Sequence, residues 1–579
     1  MAKIFLALFK NPDADRILKC SEKAEQMKML LCPDHLTPSV KIETDESGCL
    51  FLFNDRNQIL QRGLSICSGA FTTLTDNWWE SKDIPASASL YIHTNAAECK
   101  IFANNVAGRC TWYYSDNNQF IVSTSQRAII AWLGSFESNP QATSWMLATG
   151  NLGPGNSWDK RLKHLTSGST LLFDRNQWQL SKTKTAVTFK NTGRSKEELK
   201  LEMEKTIDHV FSQMKIEMPF TALTLSGGYD SRTVLYYMVK HGMLVPTVTW
   251  GLSSALQERN TDAHAAEVLA DQLGVPHRFY STDFHIDFET VFQRFLCSGE
   301  GRLDHINTFM DGFRMWKNMS DSGIRHIIRA DEVFGWLPAQ TEQDVRISLD
   351  INRMEDNANM PPLQKLGLQE QFYPEEYLRE ENETLATWRD RLYREYRLPY
   401  VLTALHDLVH SYVEVINPFL HHDIISFCNN IPDELRSQKK LYAELVSGLI
   451  PGVPIARKAS IPEPAAILRS SRIVSLMLEE LSSNEAKQYL GNSFLQWMPD
   501  HLYVEDDLVN KTNNSVALWL KSAVPWKLKK MLRKDLVKYH GDFNQLAFRA
   551  VIVTRMHRIL AQDAAALNKH FQHEPSLIS

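Results

Sequence analysis

The sequence predicts two fold classes in succession. The first third is β-rich. The remainder is α/β, a parallel sheet with helices on both faces, followed by a helical C-terminal part. Three observations carry this reading. Up to about residue 180, short apolar runs recur between Asn, Asp and Gly turns. From Lys196 onward, strand-like runs alternate with helical periods, as in parallel sheets covered on both faces. From about residue 340 the chain turns mostly helical and rich in charge.

The 579 residues imply two or more domains. We divide the chain at 1–185 and 196–579, on either side of a polar stretch, Ser181 to Ser195, that reads as a linker. Apolar residues make up 43% and charged residues 23%, as in soluble proteins with large cores. A net charge of −5 gives no global reason to bind nucleic acid. No run approaches the roughly 18 apolar residues of a membrane span. Ile4 to Phe9 is too short for a signal peptide and reads as the first strand. The eight cysteines include no Cys-x-x-Cys pair, so they read as reduced thiols of a cytoplasmic protein.

In the first region Leu50–Phe53, Ser89–Ile92 and Phe120–Ser123 read as strands. In the second, Lys196–Met214 has a helical period, and Ala222–Leu225 is a short apolar strand. Thr233–Lys240 is a helix closed by His241-Gly242. Val245–Trp250, ending at Gly251, reads as a second strand. Asp262–Leu273 is a helix stopped by Gly274, and Arg278–Tyr280 starts a third strand. Such sheets bind ligands at the carboxyl ends of their strands.

At one such end stands Ser226-Gly227-Gly228-Tyr229-Asp230-Ser231-Arg232. Strand, glycine turn and helix N-terminus together bind phosphate through backbone N–H groups and the helix dipole. No Gly-Lys-Ser/Thr ending follows, so the loop is not a Walker A motif. Gly227 and Gly228 let the backbone approach the phosphates. Ser226 and Ser231 offer hydroxyls, and Asp230 is a hard oxygen ligand for Mg²⁺. The loop has no lysine, so a second carboxylate and a distant lysine or arginine are expected.

Ser-Gly-Gly-x-Asp-Ser resembles the pyrophosphate loop of ATP pyrophosphatases, which split ATP between its α and β phosphates and leave AMP on a substrate. Later segments resemble asparagine synthetases in order. Arg325 to Trp336, with Ala330-Asp331-Glu332-Val333-Phe334-Gly335, is similar to the family's Gly-Glu-Gly-Ala-Asp-Glu-Leu-Phe-Gly-Gly-Tyr. That likeness implies Asp331 as the second Mg²⁺ ligand beside Asp230. Thr249-Trp250-Gly251 and Asp262 to His277 resemble the adenine-side strand and its helix, which lays Trp250 and Gly251 along the base. Val413 to Leu420 resembles the Val-Glu-x-Arg-x-Pro-Phe-Leu-Asp element. Lys440 and Arg457-Lys458-Ala459-Ser460 resemble the late lysine and Arg-x-Lys region, which implies Lys458 and Lys440 as stabilisers of the charged transition state. The likeness covers roughly residues 195 to 470.

More weakly, Gly108 to Tyr114, Phe120 to Arg127 and Leu152 to Phe173 resemble the family's glutaminase domain, which implies an Ntn-type α+β sandwich. That glutaminase needs a cysteine directly after the initiator Met, and here Ala2 stands there. The family's Gly-Glu-Gly is replaced by Ile327-Ile328-Arg329, so its ammonia-assisting glutamate is Ile328. Ile416 and His421 replace its Arg and following Asp. Ser298-Gly299-Glu300-Gly301 holds a Gly-Glu-Gly about thirty residues too early and reads as a coincidence of composition.

A kept ATP loop without the glutaminase cysteine resembles β-lactam synthetases and lasso-peptide macrolactam cyclases. The implied activity is ATP- and Mg²⁺-dependent adenylation of a carboxylate and attack by an amine, most simply ring closure within a peptide. Implied partners are a peptide or small-molecule carboxylate and a leader-peptide-processing protein, with no nucleic acid and no membrane span. The alternatives are intermolecular amide transfer to a small-molecule or sugar acid, a non-catalytic nucleotide-binding scaffold, and tRNA or sulfur chemistry on the same loop. Trp526 to Lys534 reads as an amphipathic helix with a solvated basic face, or as a dock for an acidic partner.

Overall fold

The computed structural model describes residues 3–505 and 539–567, apart from 13, 56–58, 70, 73–76, 81–83, 85, 86, 104–108, 167, 191, 285, 451 and 454. Ala2, Gly108 and the basic segment Trp526–Lys534 lie outside the described residues.

The β-rich region folds as two six-stranded sheets. In the first the order is Lys163–His164, Trp112–Ser115, Gln119–Ser123, Lys3–Phe9, Gly48–Phe53, Val40–Asp45. In the second it is Gln179–Lys184, Ser169–Asp174, Glu98–Ala103, Leu90–Thr94, Ser65–Ser68, Leu60–Arg62. Neighbouring strands are antiparallel throughout.

Lys3–Phe9 shows how sequence makes the sandwich. Side chains alternate between faces of a strand. Ile4, Leu6 and Leu8 pack into the core between the sheets, against Ile66, Leu90, Ile101 and Phe173. Phe5, Ala7 and Phe9 face the other way, toward Cys20, Ala24 and Met27 of helix Ala14–Leu30 and toward Ile129 of helix Gln126–Leu133. An uninterrupted apolar strand is therefore one buried on both sides.

One expectation fails here. Ser181–Lys184, read as linker, is the outer strand Gln179–Lys184, paired with Ser169–Asp174 through Thr170↔Thr183 and Leu172↔Ser181. Its exposed polar side chains suit a sheet edge. The irregular connection is shorter, and helix Lys196–Ser212 begins after it. That helix has a reciprocal cap: the Ser195 hydroxyl accepts from the Glu198 N–H, and the Glu198 carboxylate accepts from the Ser195 N–H at 2.8 Å.

The second region holds a five-stranded, wholly parallel sheet ordered His277–Ser281, Thr247–Gly251, Thr221–Thr224, His326–Ile328, Glu414–Ile416. Successive residues feed opposite cores. Ala222 and Ile327 join one apolar cluster, and Leu223 and Ile328 the other. Thr221–Thr224 is central, so the Ser226 loop emerges in the middle of the sheet's carboxyl edge.

The two regions are pinned by buried charge. Glu300 accepts from Lys3 Nζ at 3.0 Å, from the Ser125 hydroxyl, and from the Gln126 N–H at 2.8 Å. Its Gly-Glu-Gly setting has a structural use, because Glu300 (φ 53) ends helix Phe288–Gly299 and turns toward the first sheet. Arg109 pairs with Glu414. The last described helix, Phe543–Ala566, also spans both. Its Phe548, Val551 and Met556 enter a core shared by Met146 and Trp158 of the first region and Phe292 and Ile327 of the second, while Asp563 takes two hydrogen bonds from Arg127 at 2.7 and 2.9 Å.

His557 sits on that helix with no exposed surface. Its Nδ1–H donates to Val553 O at 2.8 Å, its Nε2 accepts from the Ser138 hydroxyl at 2.8 Å, and its ring stacks on Tyr489. Burial therefore pushes its pKa down to about 4. The folded state disfavours the proton relative to the unfolded chain, whose imidazole titrates near 6.5. This contribution to stability is complete above 6.5 and is lost as pH falls toward 4. The full effect is on the order of 3 kcal/mol. His557→Gln should make the thermal midpoint less pH-dependent between 7 and 4 than in the wild type. Equal slopes by calorimetry would contradict this assignment.

Candidate functional site

At the carboxyl edge of the parallel sheet is a cavity of about 280 Å³, near the lower size of small-molecule sites. Ser226, Asp230 and Ser231 line one wall, Thr249 and Trp250 a second, Arg329, Ala330 and Asp331 a third, and Ala459–Ile461 a fourth. The ends of three adjacent strands thus meet one distant segment.

The loop is built from its own side chains. The Ser231 hydroxyl lies 3.0 Å from both the Ser226 N–H, whose bond it accepts, and the Ser226 hydroxyl. The Ser226 hydroxyl accepts from the Gly228 N–H at 3.3 Å. Helix Tyr229–Lys240 starts at Gly228 with no side-chain cap. Its first-turn N–H groups and dipole are left for an anion. Gly227 is fixed by packing: a Cβ there would stand 2.4 Å from Ala456 Cβ and 2.5 Å from Ala265 Cβ.

The segment 456–461 is stitched on by backbone bonds. The Ala456 N–H donates to Gly227 O at 3.0 Å, and the Leu252 N–H to Ser460 O at 2.8 Å. The Ser460 hydroxyl accepts from the Ala263 N–H at 3.0 Å. A Cβ on Gly251 would lie 2.4 Å from Ser460 O, so this approach needs glycine. Trp250 is half-buried and meets Trp316 edge-on at 5.4 Å. These contacts place Trp250 and Gly251 beside the Ser226 loop.

The charges come from three places. Lys439 Nζ bridges Asp230 Oδ2 and Glu332 Oε1, both at 2.9 Å. Burial pushes the Glu332 carboxyl up to about 7, Lys439 opposing it and Asp230 adding to it. Burial also raises Asp230 above the usual carboxylate range, with Lys439 opposing and Asp331 reinforcing. Burial would lower Lys439, but Glu332 and Asp230 outweigh it and hold the ammonium charged.

Lys440, by contrast, is exposed at the start of helix Lys440–Val446. The lysine at the site is its neighbour. Gln438 (φ 59) and Lys439 (φ 54) both adopt left-handed backbone, which reverses the chain and turns Lys439 inward. Such residues cost about 1 kcal/mol or more each and persist where surroundings enforce them. Gly335 (φ 133) is part of that enforcement: a Cβ there would stand 1.9 Å from Arg436 O. The Gln438 N–H then donates to Trp336 O at 3.1 Å.

Lys458 also lies away from the charge cluster. Its backbone N–H and C=O bond to Asn260 and Asp262, but its ammonium pairs with Glu258 at 2.9 Å on the surface, about half exposed. Ile328 is fully buried, so no carboxylate surrogate reaches the cavity from that position.

Asp331 stands at the cavity wall. Its N–H donates to Asn417 Oδ1 at 3.3 Å. Burial would raise its carboxyl, but Arg329 and His406 outweigh it and hold it well below the usual range. Arg329 donates from Nε at 3.1 Å and Nη2 at 3.4 Å, and His406 Nε2 lies 3.1 Å from Oδ2. Both Asp331 oxygens are thus engaged by cationic or imidazole nitrogen.

Asp230 differs: its Oδ1 is buried and has no partner. Among the described residues no cluster of three or more metal-binding side chains occurs. Mg²⁺ commonly takes one or two carboxylates, with phosphate oxygens and water completing its shell. Asp230 Oδ1 fits that need, and Asp331 Oδ1, with a single hydrogen bond from Arg329 at 3.4 Å, keeps acceptor capacity beside it.

Sequence reasoning missed Glu332, Lys439, Arg329, His406 and Asn417 as site residues. Glu332 and Arg329 lie inside the recognised segment Arg325–Trp336 and Asn417 inside Val413–Leu420, so these three were legible by position. Lys439 and His406 come from a turn and a helix with no local phosphate-binding pattern. The eight cysteines are all free, seven of them buried, and none lines the cavity. Among the described residues no helix is long and apolar enough to cross a membrane.

The asparagine synthase family model matches residues 204–520. No curated protein matches the chain. Similar solved structures include the U34-tRNA thiolase NcsA from Methanococcus maripaludis with its 4Fe-4S cluster, at 11% identity and TM-score 0.24. That likeness covers 57% of this chain and 91% of that one. Another is the glutamine phosphoribosylpyrophosphate amidotransferase from B. subtilis complexed with ADP and GMP, at 8% identity and TM-score 0.18. It covers 58% of this chain and 83% of the other. At these TM-scores neither likeness bears on fold or activity. The family match spans more than half of the chain and includes the Ser226 loop, Asp331 and Lys439; this protein belongs to the asparagine synthase family, which implies an ATP-dependent, amide-forming ligase.

Proposed function

We propose that the protein activates a carboxylate with ATP as an acyl-adenylate, releases pyrophosphate at the Ser226 loop, and joins the acyl group to an amine with release of AMP. The observation that carries this is Lys439. It brings a cation to the uncapped helix N-terminus and to Asp230, supplying the charge the loop lacks.

In this reading Ser226, Gly227, Gly228 and Ser231 hold the departing pyrophosphate through hydroxyl and backbone donors. Trp250 and Gly251 flank the adenine. Asp230 would hold Mg²⁺ through its unpartnered Oδ1, and the ion would neutralise phosphate charge as the α–β bond breaks. Lys439 stabilises the same charge from the protein side. Lys458 is a rim residue that can leave Glu258 for a bound phosphate, since an exposed pair of this kind holds weakly.

We further propose that the amine and the carboxylate belong to one peptide. Residues 327–329, where the family's ammonia-assisting glutamate stands, are Ile-Ile-Arg, and Ile328 points into the core. A folded peptide carries its own amine to the acyl group, which removes an entropic barrier worth several kcal/mol. The region 1–185 would serve as scaffold or docking surface, and 196–579 as the synthetase domain.

Incubation with ATP, Mg²⁺ and candidate carboxylates should yield AMP and pyrophosphate, and mass spectrometry should find a cyclic product lighter than its precursor by one water. ADP as the nucleotide product would sink the ligase reading. An intermolecular amide instead of a ring would keep the ligase and discard the cyclisation. Asp230→Ala should abolish turnover while keeping the fold, with a lowered thermal midpoint because Lys439 loses one of its two carboxylate partners.

Lys439→Met should lower the single-turnover rate of adenylate formation by about a hundredfold or more, the scale of losing one charge stabiliser. Lys440→Met should stay within about twofold of wild type, since an exposed lysine outside the site has no transition-state contact to lose. A larger loss in Lys440→Met than in Lys439→Met would reverse the assignment.

A further inference from the structure

Arg329 lines the cavity between the Ser226 loop and Asp331. Strand register fixes this. Leu223 pairs with Ile328, so Thr224 runs beside Arg329, and the loop begins two residues farther on. Adjacent strands are about 4.8 Å apart, and a guanidinium spans that gap. The Thr224 hydroxyl ties the two strand ends by donating to Ile328 O at 3.1 Å. The Arg329 N–H donates to Ile416 O at 2.8 Å, which anchors its backbone on the other side.

The guanidinium is aimed by Asp331. Nε and Nη2 face the two carboxylate oxygens, leaving Nη1 out of that pairing. Its side chain keeps about a quarter of its surface exposed. Asp331 is held in turn by His406 and by the side-chain oxygen of Asn417. An arginine fixed side-on by a carboxylate, with its remaining edge toward a cavity, is an oriented phosphate donor.

We propose that Arg329 binds the phosphate chain of the nucleotide directly, with Asp331 as its positioning residue. This rests on the nucleotide site argued above. It assigns part of the phosphate charge to the protein. The consequence is that this site binds polyphosphate with measurable strength without divalent cation.

Titration calorimetry on the full chain tests this, using inorganic pyrophosphate and ATP, each in EDTA and in Mg²⁺. Wild type should bind pyrophosphate in EDTA. Arg329→Gln should weaken that binding by about tenfold to a hundredfold, the range of a charge-assisted hydrogen bond. Arg329→Lys, which keeps the charge but not the fork, should lose less. Asp331→Asn should weaken pyrophosphate binding in EDTA by a smaller factor than Arg329→Gln, by loosening the arginine.

If Arg329→Gln binds pyrophosphate in EDTA as tightly as wild type, while both bind ATP in Mg²⁺, Arg329 does not touch phosphate and the proposal falls, leaving the nucleotide site intact. If wild type binds ATP in Mg²⁺ but no pyrophosphate in EDTA, the proposal falls as well. If wild type binds neither ligand in either solution, the nucleotide reading falls and takes this proposal with it. Circular dichroism checks the fold of each variant. If Arg329→Gln unfolds, Arg329→Lys decides: unaltered binding in both media by that variant overturns the fork geometry.

Discussion

Lys439 joins two carboxylates that come from different places in the chain, Asp230 on the first turn of a helix and Glu332 in the loop after a neighbouring strand. Burial is the main reason both carboxyls are pushed toward protonation, with Asp230 adding to the effect on Glu332 and Asp331 adding to the effect on Asp230. A single ammonium between them makes the arrangement tenable. It also fixes the distance between the phosphate loop and the Asp331 segment. The left-handed turn at Gln438–Lys439 and the tight approach at Gly335 follow from the need to deliver that ammonium. Removing one partner leaves a buried charge without its complement, a costly change.

The rest of the site is arranged around this pair by backbone. The segment 456–461 bonds to Gly227, Leu252 and Asn260 through main-chain groups. The cavity wall there is set by chain path more than by side-chain identity. Positions of close approach have little freedom, as at Gly227 and Gly251. The two fold regions are coupled in the same manner, through buried groups. Glu300 and Arg109 reach across, and helix Phe543–Ala566 packs into one core that also holds Ile130, Met146 and Trp158 of the β-rich region. The β-rich region is therefore integral to the synthetase-side packing.

Local pattern made much of this legible. The alternation of strand Lys3–Phe9 and the strand–loop–helix around Ser226 arise from residues close in sequence, whereas the order of the parallel strands is set by pairings between distant segments. Lys439 was not legible, because nothing near it distinguishes it from Lys440; only the backbone turn decides which ammonium points inward. Lys458 shows the converse. Its segment lines the cavity as expected, but its side chain turns to Glu258 on the surface. The edge strand Gln179–Lys184 was hidden by its polar, lysine-rich composition, which is what an unpaired sheet edge tolerates. Glu300 looked like a coincidence because its role depends on Lys3 and Ser125, distant in sequence.

In the proposed function residues 225–231, 249–251, 329–332, 439 and 456–461 form one nucleotide site. Hydrogen–deuterium exchange of the full chain with and without MgATP tests it without knowledge of the carboxylate. Slowed amide exchange is expected in those five segments together, strongest at 229–231, at the uncapped helix N-terminus. Protection confined to other parts of the chain, or none at saturating nucleotide, would contradict it.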